Sequence, residues 1–160
     1  MSRRLTHELT YDAPMAAVHA MLLDRAFREE VCEFQRVIRH AVSVEQRGST
    51  TEVTIDQHQA ARGIPSFALK FVGDEINIVQ RESWSSDTGG EVHVEIPGKP
   101  GHMAGTVRLR ESGGTTTQTM DLTIKVGIPL VGGKIEGLIS DLLLKAYRAE
   151  NKVGRDYLAR

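Results

Sequence analysis

The residue types best suited to chemistry lie on one predicted strand near the middle of the chain. Gln80, Glu82 and Trp84 alternate along it, so an amide, a carboxylate and an indole share one face with Ile76 and Ile78. This line of groups suits a ligand with a hydroxyl or carbonyl at one end and a ring or chain beyond it. A buried carboxyl at Glu82 would also serve as a general acid or base if burial moved its pKa towards neutrality, with Gln80 polarising a carbonyl.

Four more polar residues fall at positions that strand alternation predicts to face inward. An ordinary core would be apolar there, because a buried polar group without a partner costs on the order of 1 to 3 kcal/mol. Their polarity therefore favours a cavity lined by hydrogen-bonding groups. The four residues are His7, His40, Gln57 and Gln118.

Each of these polar positions also has a purely structural interpretation. At strand ends and bulges a side chain can turn out to water, against the alternation. Glu82 would then be a carboxylate paired with an arginine or with a backbone end. His40 would be a core histidine with satisfied hydrogen bonds, and Trp84 would belong to the core. The residues themselves leave both interpretations open.

Strands and helices must bring these groups together, and periodicity predicts where they lie. A strand over 5–11 is followed by two short helices, the second with Phe27, Val31 and Phe34 on its inner face. The next strand places Ile38 inward beside His40. Paired glycines or Gly-Ser mark the turns of an antiparallel sheet. The remaining strands are one that begins at 36 and five more over 53–57, 75–84, 91–96, 103–110 and 115–126, with turns at 48–49, 89–90 and 113–114.

The segment 63–73 is ambiguous between a strand and a helix. Phe67, Leu69 and Phe71 would alternate along a strand. Pro65 in a first helical turn and Gly73 just past a last turn favour a short helix instead, with Phe67 and Phe71 facing inward.

Residues 129–158, close to the end of the chain, form its longest helical pattern. Apolar residues including Tyr147 recur on one side, and charged residues including Glu136 fill the other. Gly132, Gly133 and Gly137 weaken the start of this helix by about 1 kcal/mol each relative to alanine. They indicate a close approach to the sheet, a flexible gate, or a loop that extends further than the pattern suggests.

Composition limits the class of protein. The 160 residues are 40% hydrophobic and 26% charged, which predicts a single domain over 1–160. The net charge of −1 and the absence of a long apolar run argue against nucleic acid partners and stable membrane insertion, and favour a cytoplasmic protein. The lone Cys32 lies among acidic residues and is expected to be inert, and no Cys or His spacing suggests a metal or cofactor.

The predicted order is one strand, two short helices, six strands and a long terminal helix, with a short helix near 65–72. Together with three motifs, this order resembles the START/Bet v 1-like superfamily (SRPBCC, polyketide cyclase and lipid-transfer proteins), in particular an uncharacterised bacterial branch. The resemblance implies an α+β helix-grip fold, a curved seven-stranded antiparallel sheet wrapped around the long helix. The motifs are Tyr11-Asp-Ala-Pro-Met-Ala-Ala-Val18, Arg81-Glu-Ser-Trp84 and the glycine-containing segment 127–137.

The resemblance also implies a cavity between sheet and helix that accepts hydrophobic molecules. We therefore expect binding or transport of a lipid, polyketide or quinone-like ligand, without catalysis. The alternative is an aromatase/cyclase-type enzyme with Glu82 or His40 as the general acid or base. Ligand identity and oligomeric state do not follow from the residues. The expected cavity residues are His7, His40, Gln57, Phe67, Phe71, Gln80, Glu82, Trp84, Gln118, Met120 and Tyr147.

Overall fold

A computed structural model describes residues 2–160. These form seven strands and four helices in the predicted order, and the strands build one open antiparallel sheet. The strands are β1 Arg3–Tyr11, β2 Arg39–Arg47, β3 Thr50–Ala60, β4 Glu75–Ser86, β5 Gly89–Glu95, β6 His102–Ser112 and β7 Thr115–Lys125. The helices are α1 Met15–Leu22, α2 Arg25–Phe34, α3 Ser66–Val72 and α4 Gly132–Leu158.

The sheet has the spatial order β1-β7-β6-β5-β4-β3-β2, so β1 and β2 form its two edges. Every link from β2 to β7 joins spatial neighbours, whereas α1 and α2 carry the chain from one edge to the other. The first strand pairs with the last, Leu5 lying opposite Leu122. This pairing holds β1 against β7 along its whole length, at one edge of the sheet.

The core lies between the inner face of the sheet and the helices α1, α2 and α4. Alternate residues of β4 and β7 are buried there, and α4 contributes one stripe, as its helical period requires. The prediction of a helix at 65–72 is confirmed by α3. Its flanking glycines, Gly63 and Gly73, have φ values of 73° and 71°, which residues with a side chain rarely adopt.

The inward orientation predicted for two residues is wrong. Phe34 is 56% exposed, because α2 ends there and the chain turns away at Arg36 with a φ of 56°. Ile38 is 48% exposed, because β2 begins one residue later and strand alternation does not extend to it.

The predicted turn at Gly89 and Gly90 is also wrong, since both residues lie within β5. A Cβ on Gly90 would lie 2.2 Å from the carbonyl oxygen of Ser83, so glycine permits a close contact between β4 and β5. The turn lies just before them, at 87–88, beside a register shift between Trp84 and Ser86. Paired glycines therefore marked a close approach here rather than a turn.

The helix α4 begins at Gly132, three residues later than predicted. A Cβ on Gly132 would lie 2.4 Å from the carbonyl oxygen of Val126, so this glycine permits close approach of the helix to the end of β7. Glu136, predicted on the polar side, is 2% exposed. It is buried because its Oε2 accepts a hydrogen bond of 2.8 Å from the backbone N–H of Val126, which fixes the connection between β7 and α4.

Candidate functional site

The Glu82 side chain lies at the centre of a buried hydrogen-bond network. Its Oε1 accepts hydrogen bonds from Arg28 Nη2 at 2.7 Å and from Trp84 Nε1 at 3.0 Å. Its Oε2 accepts one from Gln80 Nε2 at 2.6 Å. The side chains of Arg28 and Glu82 are only 2% and 1% exposed, so their ion pair lies out of contact with water. The structure thus matches the interpretation of Glu82 as a carboxylate paired with an arginine.

A second carboxylate, Glu150 of α4, faces the same guanidinium. Its Oε2 lies 3.7 Å from Arg28 Nη1, within ion-pair range but beyond hydrogen-bond distance. Its Oε1 accepts a hydrogen bond of 3.1 Å from Gln118 Nε2. Arg28 is further held by a 2.7 Å bond from its Nε to the carbonyl oxygen of Leu22. One cation from α2 therefore lies between a carboxylate of β4 and a carboxylate of α4.

Burial and charge shift the pKa values of this cluster in different directions. Burial lowers the pKa of Arg28, but Glu82 and Glu150 raise it by more, so that it ends above its ordinary value. Burial raises the pKa of Glu150, Arg28 opposes this, and the net direction is upward. Burial also raises the pKa of Tyr147, with the two carboxylates adding to the effect. The arginine is therefore held charged, while Glu150 binds a proton more readily than an exposed glutamate does.

The network continues beyond the three charges. Tyr147 Oη donates a hydrogen bond of 3.3 Å to Gln80 Oε1, which joins α4 to β4. Two buried oxygens have no hydrogen-bond partner among residues 2–160, Tyr11 Oη and Gln118 Oε1. The interior thus combines charged and neutral polar groups, and some of its hydrogen-bonding capacity is unused.

A small hollow borders this network, and we call it the polar hollow. Its volume is about 30 Å³. Polar and apolar side chains share its lining, and α2, β3 and α4 each contribute both kinds. The lining residues are Arg28, Val31, Cys32, Gln35, Ile55, Gln57, Gln80, Ala146, Tyr147 and Glu150.

A second hollow, which we call the apolar hollow, lies between α3, the ends of β4 and β5, and α4. Its volume is also about 30 Å³. Apart from the side chain of Lys99, its lining consists of aliphatic and aromatic residues and Pro100. The lining residues are Ala68, Phe71, Val72, Ile76, Ile96, Lys99, Pro100, Ile128, Ile135, Leu138, Ile139 and Leu142.

The structure brings only some of the predicted site residues together. Seven of them are buried, and three of the seven, Gln57, Gln80 and Tyr147, line the polar hollow. Phe71 lines the apolar hollow. The other four buried residues lie in the network or the core, away from both linings: Glu82, Trp84, Gln118 and Met120.

Three predicted residues are partly exposed and line neither hollow: His7, His40 and Phe67. Burial, with a contribution from Arg148, lowers the pKa of His7. His40 Nδ1 is buried and has no hydrogen-bond partner among residues 2–160. Phe67 packs against α4, where Lys134 Nζ lies 5.8 Å from the centre of its ring.

Sequence reasoning missed the two helical members of the charged cluster, Arg28 and Glu150. A signal for both was present. Arg28 lies four residues before buried Cys32, and Glu150 lies three residues from both Tyr147 and Val153, so each falls within an apolar helical stripe. Opposite charges within two buried stripes are typical of a buried ion pair.

Residues 6–158 match a family whose description is "Protein of unknown function (DUF2505)". The chain belongs to this family. A relative within the curated proteins is the uncharacterized protein Rv0481c of Mycobacterium tuberculosis (strain ATCC 25618 / H37Rv), which is 29% identical over 110 residues. That match covers 64% of the present chain and 63% of the relative, so less than two thirds of the relative's length is spanned.

Solved structures share the fold of this DUF2505 protein. The Zhui aromatase/cyclase from Streptomyces sp. R1128 aligns with a TM-score of 0.70 and 13% identity, over 100% of this chain and 95% of that one. Ara h 8.0201 aligns with a TM-score of 0.64 and 9% identity, over 96% and 98% of the two chains. The predicted helix-grip fold, a seven-stranded antiparallel sheet with a long C-terminal helix, is therefore confirmed.

Within residues 2–160, no helix is long and apolar enough to cross a membrane. The same residues contain no group of three or more His, Cys, Asp or Glu side chains that could hold a metal ion. The two hollows and the charged network form the candidate site of this DUF2505 protein.

Proposed function

We propose that this DUF2505 protein binds a small, predominantly apolar molecule between its sheet and α4, and that the ligand enters beneath α3. The observation that carries the proposal is the apolar hollow, where eleven of twelve lining residues are apolar or proline. Binding there gains free energy because it removes the ligand's hydrocarbon surface from water, about 25 cal/mol per Å².

The site must open before it can accept such a molecule. Pockets for drug-sized ligands usually measure about 300 to 1,000 Å³, about ten times the volume of the apolar hollow or more. The element best suited to move is α3, because it has only seven residues and lies between Gly63 and Gly73. Its first turn has no side-chain cap. Hinges of moving segments are a few positions at the ends of elements, often small residues, that absorb the change in φ and ψ.

The catalytic alternative has less support from the contacts. Glu82 lines neither hollow, and three hydrogen bonds, one of them from a guanidinium, already occupy three of the about four acceptor sites of its carboxylate. His40 lines neither hollow. These contacts favour binding without proton transfer by either residue.

A matched pair of tryptophan substitutions tests the proposal. Leu138 lines the apolar hollow, whereas Leu69 lies on α3, is 39% exposed and does not line it. Leu138→Trp should fill the hollow, and Leu69→Trp adds the same indole outside it. Binding of the neutral dye N-phenyl-1-naphthylamine is followed by fluorescence, and circular dichroism verifies that both variants are folded.

We expect the native protein and Leu69→Trp to bind the dye with similar affinity, and Leu138→Trp to bind it at least tenfold more weakly. Equal binding by a folded Leu138→Trp variant would show that the dye enters elsewhere. No binding by the native protein would overturn the proposed function itself.

A further inference from the structure

The polar hollow has room only for a small group. About 10 to 15 Å³ of cavity volume holds one water molecule, so its volume of about 30 Å³ corresponds to about two. One hydroxyl or one carbonyl oxygen is of this size, whereas a ring or a chain is not. Whatever enters this hollow is therefore the polar end of a molecule whose remainder lies elsewhere.

The groups around the polar hollow retain unused hydrogen-bonding capacity. Gln57 is 7% exposed, and its Nε2 donates no hydrogen bond to any group within residues 2–160. Arg28 Nη1 and Glu150 Oε2 face each other at 3.7 Å, too far for a direct bond. An oxygen about 2.8 Å from both atoms would accept from the guanidinium and donate to the carboxylate. A hydroxyl can do both, because it carries a donor and acceptor lone pairs.

The charges around the polar hollow discriminate between head groups. Glu82 and Glu150 provide two carboxylates, and Arg28, already bonded to Glu82, provides one cation. A carboxylate, sulfate or phosphate brought to this position would add another negative charge to a buried cluster that has no free cation for it. An uncharged hydroxyl adds none.

Both hollows are lined by residues of α4 and β4, and they share no lining residue. On α4, Leu142 lines the apolar hollow and Ala146 the polar one, and four residues of helix separate them by about 6 Å. On β4, Ile76 lines the apolar hollow and Gln80 the polar one, about 13 Å apart. A molecule that occupies both hollows once α3 opens must therefore be long enough to span this distance.

We propose that the polar hollow is a head-group subsite that takes one hydroxyl of an alcohol or phenol and excludes the corresponding carboxylate. This inference rests on the proposed function, because the apolar hollow must hold the rest of the molecule. It names the ligand class as uncharged, hydroxyl-bearing and hydrophobic.

Three probes that share one ring system test the subsite: 2-naphthol, naphthalene and 2-naphthoate, each competing with N-phenyl-1-naphthylamine at pH 7. We expect 2-naphthol to compete about tenfold more strongly than naphthalene, since it adds a hydrogen bond to charged groups. We expect 2-naphthoate to be the weakest.

Glu150→Gln keeps the shape of the side chain and removes one negative charge, so it should improve 2-naphthoate binding about tenfold or more. Glu91→Gln, an exposed substitution on β5, is the control and should change none of the three.

Binding of 2-naphthoate as tight as that of 2-naphthol would overturn the inference, as would unchanged discrimination in Glu150→Gln. In either case continued binding of the dye would leave the proposed function standing. If neither the dye nor any of the three probes binds the native protein, the proposed function and the subsite both fail.

Discussion

Replacing Arg28 by methionine tests whether the buried charge network stabilises the fold. Methionine has a similar length but no charge, so Arg28→Met leaves Glu82 and Glu150 facing each other in the interior, with side chains only 1% and 6% exposed. It also removes the hydrogen bonds to Glu82 and to the carbonyl oxygen of Leu22. Removing one member of a buried ion pair typically costs about 3 to 5 kcal/mol. That is a large share of the about 5 to 15 kcal/mol by which a domain is usually stable.

The assay is urea denaturation at pH 7, followed by far-ultraviolet circular dichroism and by fluorescence. Trp84 is the only tryptophan of the chain and donates a hydrogen bond to Glu82, so its emission reports directly on the network. We expect Arg28→Met to lower the free energy of unfolding by about 3 to 5 kcal/mol. Arg25→Met on the same helix is the control. Its side chain is 65% exposed and its ion pair with Glu29 is 3.6 Å long, so its effect should stay within about 0.5 kcal/mol.

A double variant identifies the cause of the loss. Adding Glu82→Gln to Arg28→Met removes one of the carboxylates that the missing arginine leaves uncompensated. The double variant should therefore lose less stability than the sum of the two single losses, by about 1 kcal/mol or more. Strict additivity, or a loss below about 1 kcal/mol in Arg28→Met alone, would refute the view that this network is a coupled ionic unit.

Three further predictions concern Glu150, Gly105 and Cys32, outside the ion pair of Arg28 and Glu82. Burial raises the pKa of Glu150 above its ordinary value of 4.5. The stabilising contribution of this group is therefore complete near and below pH 4.5 and is lost as the pH rises through the folded pKa. Glu150→Gln should accordingly gain stability relative to the native protein as the pH is raised above 4.5 in a series of urea titrations. Gly105→Ala should destabilise the protein by about 2 to 3 kcal/mol, because its Cβ would lie 1.8 Å from the carbonyl oxygen of Asp121. Gly127→Ala is the control, since its Cβ would meet nothing within 4 Å, and thermal melting should show no change in its stability. Burial raises the pKa of the Cys32 thiol to about 11 from 9.0. At pH 8 an aromatic disulfide reagent should therefore react with the folded protein at least about 100-fold more slowly than with the unfolded chain. Similar rates for the two would contradict this prediction.

Local patterns in the chain predicted most of the architecture. Alternation identified the inward face of β4, where Gln80, Glu82 and Trp84 are all buried, and the proline and glycine around 65–73 identified α3. These predictions succeed because strand and helix periods are properties of consecutive residues. The same reasoning failed at Phe34 and Ile38, where an element ends and the period no longer determines exposure.

The sequence by itself determined the order of the elements, the buried side of each and the presence of polar groups inside. Only the tertiary structure decided what those groups contact. Arg28 and Glu82 are 54 residues apart and meet because α2 packs against β2 and α4, and Glu150 joins them from α4. Such partners depend on how separate elements pack, which no local period encodes. Packing also decided that the space between sheet and helix includes two hollows of about 30 Å³ each, one polar and one apolar.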